Sequence, residues 1–166
     1  MLESRGANFA QIERDHVRSR VYAAFDWHPF DRFSPYTPLR VPVSEARVAF
    51  VTTAGVHLPE QPPFDTAADA GDSSWRVIPT ETPLAELVLS HGGYDTRRAS
   101  ADPNVVLPLD HLRSFAAEGR IGALSPDTYS FMGYVADTDR LLRDEALAVA
   151  AFLLADRVDL VLLAPT

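Results

Sequence analysis

Hydrophobic positions along the chain gather into a few separate stretches. The most strongly marked is the last, Val158-Asp159-Leu160-Val161-Leu162-Leu163-Ala164-Pro165-Thr166. This run is nearly unbroken, bounded by Asp156, Arg157 and Asp159 and stopped by Pro165, without the alternation of a half-exposed strand. It predicts a central strand of a parallel sheet, buried on both faces, that delivers Thr166 to the carboxyl rim where open α/β sheets hold their ligands. Upstream, Leu141, Leu142, Ala146, Val149, Ala150, Leu153 and Leu154 recur at helical spacing after Asp137-Thr138-Asp139. They predict a helix from Arg140 to Ala155 that faces the sheet.

The first strand is expected over Ala46–Thr52, a short one over Trp75–Pro79, and a second buried one over Leu87–Leu89. A helix follows Asp110, read as its N-cap, with Leu112, Phe115 and Ala116 on its apolar face and Gly119 at its close. Ser130-Phe131-Met132-Gly133-Tyr134 interleaves apolar and small residues, a pattern met both in loops under a ligand and in ordinary core packing. Helices alternating with buried strands define an α/β fold. The expectation is a three-layer, mostly parallel open sheet of the Rossmann or flavodoxin-like kind, incomplete on its C-terminal side because central strands rarely finish a fold. Residues 46–166 carry it. Residues 1–45 form a separate N-terminal part: a helix over Phe9–Ala24, then a Pro- and aromatic-rich extended arm over Trp27–Pro38.

Composition narrows the chemistry. Apolar residues at 46% and charged residues at 23% are those of a globular domain. No run approaches the ~20 apolar residues of a membrane helix. The first residues lack a signal-peptide core, so no membrane association is expected and a cytoplasmic address is the default. A net charge of −8 speaks against a nucleic-acid partner. All fifteen basic residues are Arg, which removes lysine Schiff-base chemistry. The absence of Cys removes thiolate nucleophiles and thiolate metal sites from the chain as given.

Two stretches share one layout. Phe50-Val51-Thr52-Thr53-Ala54-Gly55-Val56-His57 and Leu87-Val88-Leu89-Ser90-His91-Gly92-Gly93 each run from an apolar strand through a hydroxyl to a His near Gly. If the strands are parallel, His57 and His91 stand on one rim. Thr53 and Gly55 resemble the small residues that let a backbone approach an anion, although no G-x-G-x-x-G is present. Tyr94, Asp95, Arg97 and Arg98 beside His91 suit a carboxylate substrate and a proton transfer. His57, His91 and Asp95 are the candidate catalytic residues; Thr53, Gly55, Tyr94, Arg98, Ser130 and Thr166 are the candidate substrate-binding ones. Three other readings stay open on spacing alone. His57 is a loop histidine bonded to backbone, Asp95 and Arg98 pair at the surface, or His57 and His91 with Asp95 or Asp65 hold a metal for a hydrolase.

The blocks Thr52–His57, Gln61–Asp65, Gly71–Pro79, Ser90-His91, Tyr94-Asp95, Asp102, Asn104, Pro108–Arg113 and Ser130–Gly133 resemble, in the same order, the selenoprotein B family. These are subunits of the glycine, sarcosine, betaine and D-proline reductases, and the similarity runs from about Arg47 to Thr166. The resemblance implies reductive cleavage of a C–N bond in a small amino acid or amine. Electrons would come from a thioredoxin-like or other dithiol donor, and other reductase subunits would take part. It implies a selenocysteine or cysteine, then Pro-x-Cys, directly after the strand that here ends at Thr166, and a pyruvoyl group on a partner subunit in the glycine and D-proline systems. Selenocysteine is encoded by UGA, so a gene read to that codon yields a chain ending at Thr166. The chain as given carries no redox residue and no cofactor of its own. A homo-oligomer is expected from the apolar final strand and the arm. A non-catalytic module that binds a small carboxylate or amine remains the alternative from another class.

Overall fold

The structure, a computed structural model, describes residues 37–166, which from Pro38 onward form one compact unit. The expected helix over Phe9–Ala24 and nearly all of the aromatic arm lie outside the described residues.

Strand β1 (Arg47–Thr52) is the centre of the sheet. Every residue after Arg47 is buried, as a two-faced apolar run should be. β2 (Val56–His57), β3 (Trp75–Pro79) and β4 (Val88–Leu89) follow, then helix α1 (Arg97–Ala101) and helix α2 (Leu109–Ala117). The chain ends with β5 (Ala123–Leu124), β6 (Asp127–Phe131), helix α3 (Ala146–Ala155) and β7 (Leu160–Ala164). β7 runs parallel to β1 over its whole length, from Val48 opposite Leu160 to Thr52 opposite Ala164. Val48 also pairs with Leu124 of β5, and Val51 with Tyr129 of β6. β5 and β6 therefore share the other edge of β1. Beyond β6, β3 adds antiparallel. The sheet is open, mixed and mostly parallel, with the order β3, β6 with β5, β1, β7.

The final strand thus differs from expectation. Among the described residues β7 pairs with β1 alone, and Leu162 and Leu163 are 38% and 73% exposed. An unbroken apolar run shows that a strand suits burial on both faces; whether a neighbour lies on each side depends on the crossovers. Leu87–Leu89 differs as well. Only Val88 and Leu89 are strand, and they pair antiparallel with His57 and Val56 in a separate two-stranded ribbon.

Helices cover the two faces, giving three layers. On one face Phe50 packs with Ile78, Leu107, Leu109 and Leu112, placing α2 there. On the other, Val51, Tyr129 and Phe131 pack with Val149 and Leu153 of α3. Ile78, Leu107 and Leu109 are fully buried, and each such side chain contributes about 1.5–3 kcal/mol. Asp110 does not cap α2; Pro108 holds that position. Asp110 sits in the first turn, where its amide donates to the Asn104 side chain at 3.3 Å and its carboxylate pairs with Arg113 at 2.9 Å. Gly119 does end this helix. It has φ +69°, and the amides of Gly119 and Arg120 donate to the carbonyls of Ala116 and Phe115. α3 is preceded by a wider turn over Leu141–Glu145. It ends in the same crossed pattern, with Arg157 rather than Gly in the left-handed position at φ +55°. Leu142 and Leu154, expected against the sheet, are 53% and 77% exposed. No helix among the described residues is long and apolar enough to cross a membrane.

Candidate functional site

The strand order reverses at β1: the chain builds β3, β5 and β6 on one side, then crosses back to β7 on the other. The carboxyl ends of β1 and β7 flank that reversal, the place where open α/β sheets bind ligands. They are tied to each other. The Thr53 amide donates to the Ala164 carbonyl at 3.1 Å, and the Thr166 amide donates to Thr53 Oγ1 at 2.9 Å. Gly133, just past β6, closes the third side. A Cβ there would lie 3.0 Å from the carbonyl oxygens of both Thr166 and Thr53, a tight contact that glycine avoids.

Gly55 turns the chain from β1 into β2 with φ +70°. Its amide donates to the Phe131 carbonyl at 2.8 Å, and its carbonyl accepts from the Ser90 amide at 2.8 Å. A Cβ at Gly55 would overlap the Ser90 carbonyl. One glycine therefore brings the Ser90-His91 segment against the end of β1. The half-buried His91 ring lies 4.6 Å from the Tyr94 ring, and Tyr94 donates its hydroxyl to the Ala54 carbonyl at 3.1 Å.

Both ring nitrogens of His91 face backbone amides, Gly93 at 2.8 Å from Nδ1 and Gly133 at 3.3 Å from Nε2. A neutral imidazole accepts at one nitrogen only. The shorter contact assigns the lone pair to Nδ1 and the proton to Nε2. Burial pushes the His91 pKa below its ordinary value, which favours this neutral form. In that tautomer the Gly133 N–H points at a protonated Nε2 and lacks an acceptor, beside Thr53 and Thr166. That arrangement suits a negatively charged atom. Burial also raises the Tyr94 pKa, keeping its hydroxyl protonated.

The remaining candidates lie differently. His57 is buried; Nδ1 contacts the Leu58 carbonyl at 2.8 Å and Nε2 the Ser90 hydroxyl at 2.9 Å. The carbonyl can only accept, so Nδ1 carries the proton and Nε2 accepts from Ser90. His57 thus reaches the rim through Ser90. The Ser130 hydroxyl is fully buried and accepts from the Val56 amide at 2.9 Å, joining β6 to β2. Asp95 pairs with Arg97 at 2.6 Å, not with Arg98, and that contact holds its carboxyl below the usual range. Arg98 is exposed on α1. The two-histidine metal reading finds no ligand set: both His57 nitrogens are taken, and no three His, Asp or Glu side chains converge among the described residues.

Of the candidates named from the sequence, Thr53, Gly55, His91, Tyr94 and Thr166 lie together here, with the amides of Gly93 and Gly133 among them. The Gly-Gly pair after His91 and the glycine after Met132 were the available signals.

Residues 19–166 match the family model described as glycine/sarcosine/betaine reductase selenoprotein B. The chain is 38% identical over 128 residues to D-proline reductase subunit gamma of Acetoanaerobium sticklandii, covering 77% of this chain and 52% of that protein. It is 34% identical over 140 residues to glycine reductase complex component B subunit gamma of Carboxydothermus hydrogenoformans, covering 82% of this chain and 32% of that protein. Against betaine reductase complex component B subunit beta of Peptoclostridium acidaminophilum it is 35% identical over 108 residues, covering 62% and 24%. The chain thus spans about half the length of the first relative and a third or less of the others. No solved structure matches it.

Proposed function

Because the chain belongs to the glycine/sarcosine/betaine reductase selenoprotein B family, we propose that it is part of a reductase subunit that cleaves a C–N bond in a small amino acid or amine. In the overall reaction one C–N bond breaks, one C–H and one N–H bond form, and a dithiol donor supplies both electrons and both hydrogens as it closes to a disulfide. The redox residue, a selenocysteine or cysteine followed by Pro-x-Cys, stands directly after Thr166 in the full-length protein. Other reductase subunits and a thioredoxin-like or other dithiol donor are the partners. A pyruvoyl group on one of those subunits supplies an electrophilic carbonyl for the substrate nitrogen when present.

The observation that carries this reading is the convergence of Thr53, Thr166, Gly133 and His91 at the ends of β1 and β7. A chalcogen following Thr166 starts beside the Gly133 amide and the His91 ring, whose N–H groups favour its anionic, nucleophilic form. His91 donates a hydrogen bond from Nε2–H to an anionic group of the substrate or of the redox pair. Tyr94 packs against its ring. His57 acts through Ser90, which precedes His91. Asp95, paired with Arg97, and the exposed Arg98 stand at the outer side, where a substrate carboxylate would arrive.

Two experiments test this. The nucleotide sequence after codon 166 should contain UGA or a Cys codon, with a second Cys codon three positions on; any other continuation refutes the redox assignment. In the extended protein assembled with its partner subunits, His91→Ala should lower dithiol-dependent turnover by about 100-fold, the low end for a lost hydrogen-bond donor to developing negative charge. Saturable binding of an amino acid without turnover would instead support the non-catalytic module.

A further inference from the structure

Among the described residues an apolar surface beside the last strand is left without cover. α3 reads Ala-Leu-Ala-Val-Ala-Ala-Phe-Leu-Leu-Ala, without one polar residue, yet Val149 alone is fully buried. Leu147, Phe152 and Leu154 are all more than half exposed. A helix that is apolar all round belongs in an interior. Beside it, Val161 and Leu163 project from the same face of β7, and between helix and strand lies a groove of 490 Å³ lined by no charged side chain. β7 also leaves its outer edge unpaired among the described residues. Parallel sheets are normally covered on both faces, and an open apolar edge invites aggregation.

We propose that this groove seats a helix formed by polypeptide following Thr166 in the full-length protein, which then returns as a further parallel strand along β7. The existence of that polypeptide rests on the family reading, since the D-proline reductase relative is covered over only 52% of its length. Its position comes from this fold.

The connection into β5 passes through α2 on the Phe50 face, and the connection from β6 to β7 passes through α3 on the Val51 face. Parallel crossovers are right-handed, so a chain moving outward beyond β7 in the same direction as the β6-to-β7 step must place its helix on the Val51 face as well. That position is the groove. Thr166 also lies at its end: Thr53 and Gly133 both line it, the first bonded to the Thr166 amide and the second packed on the Thr166 carbonyl. The occupant is therefore an amphipathic helix that begins within a few residues of Thr166. It presents an apolar stripe at i, i+3/i+4 and i+7 to Leu142, Ala146, Ala150, Leu153 and Leu163.

The test compares the 166-residue chain with the chain extended through its following codons, serine replacing any selenocysteine or cysteine. Amide exchange in α3 and β7 should slow about tenfold or more in the extended protein, as elements move from a frayed edge to the interior. Leu163→Asp should leave the thermal midpoint of the 166-residue chain unchanged and lower that of the extended protein by roughly 5 °C. Unchanged exchange on extension, or equal effects of Leu163→Asp in both forms, overturns the proposal. So does a dimer of the 166-residue chain whose α3 and β7 protection the extension does not alter, which makes a second copy the occupant. Because the serine form has no redox pair, protection gained without turnover in the native extended protein would refute the reductase reading while upholding this one.

Discussion

Gly55→Ala tests how the site is assembled. At φ +70° an alanine pays about 1 kcal/mol for a left-handed backbone. Its methyl group also meets the Ser90 carbonyl, whose residue is held in place by the Ser90 amide bond to Gly55. The neighbour is backbone and cannot rotate away, so overpacking adds about 1–3 kcal/mol. The total is about 2–4 kcal/mol, which for a chain of this size lowers the thermal midpoint by roughly 5–12 °C. Gly119 provides the control: its φ is +69°, but a Cβ there has no neighbour within 4 Å. Gly119→Ala should cost only the backbone share, about 1 kcal/mol. Urea unfolding of both variants at unchanged m-value gives the difference directly. Equal destabilisation would refute the close approach of Gly55 to the Ser90-His91 segment, and with it the mechanism that holds His91 at the rim.

Further outcomes follow from the same geometry. Burial lowers the His91 pKa, so the folded state binds fewer protons than the unfolded one between that lowered value and 6.5. Stability from this group is complete above pH 6.5 and lost as pH falls through the lowered folded value; an NMR titration should place the His91 midpoint below 6.5, and His91→Gln should flatten that part of the stability–pH curve. Arg157→Gly, which relieves a left-handed Arg at φ +55°, should raise unfolding free energy by about 0.5–1 kcal/mol in urea. Arg113 donates to the carbonyls of Thr80 and Thr82 and pairs with Asp110. Arg113→Met should therefore cost about 2–3 kcal/mol by calorimetry, because two shielded carbonyls lose their donor.

Local pattern alone was enough for β1, for α3 and for the glycine that ends α2. A continuous apolar run, a helical repeat and a left-handed turn are each decided by residues within a few positions of one another. The hydroxyl, glycine and histidine after each apolar stretch are expected on one rim only if both strands are parallel, whereas Val88 and Leu89 pair antiparallel with β2 outside the main sheet. Tertiary structure decided what each of those groups does. His57 and His91 both follow an apolar run and a hydroxyl residue, with glycine nearby. One is enclosed because β2 pairs antiparallel with β4 and brings Ser90 onto its ring; the other stands open beside Gly133. The unbroken apolar run of β7 predicts a central strand, yet its place in the sheet depends on which strands the crossovers bring to its two edges. Hydrophobicity records how much burial a segment can bear, whereas long-range pairing, carried by residues far apart in the chain, determines how much it receives.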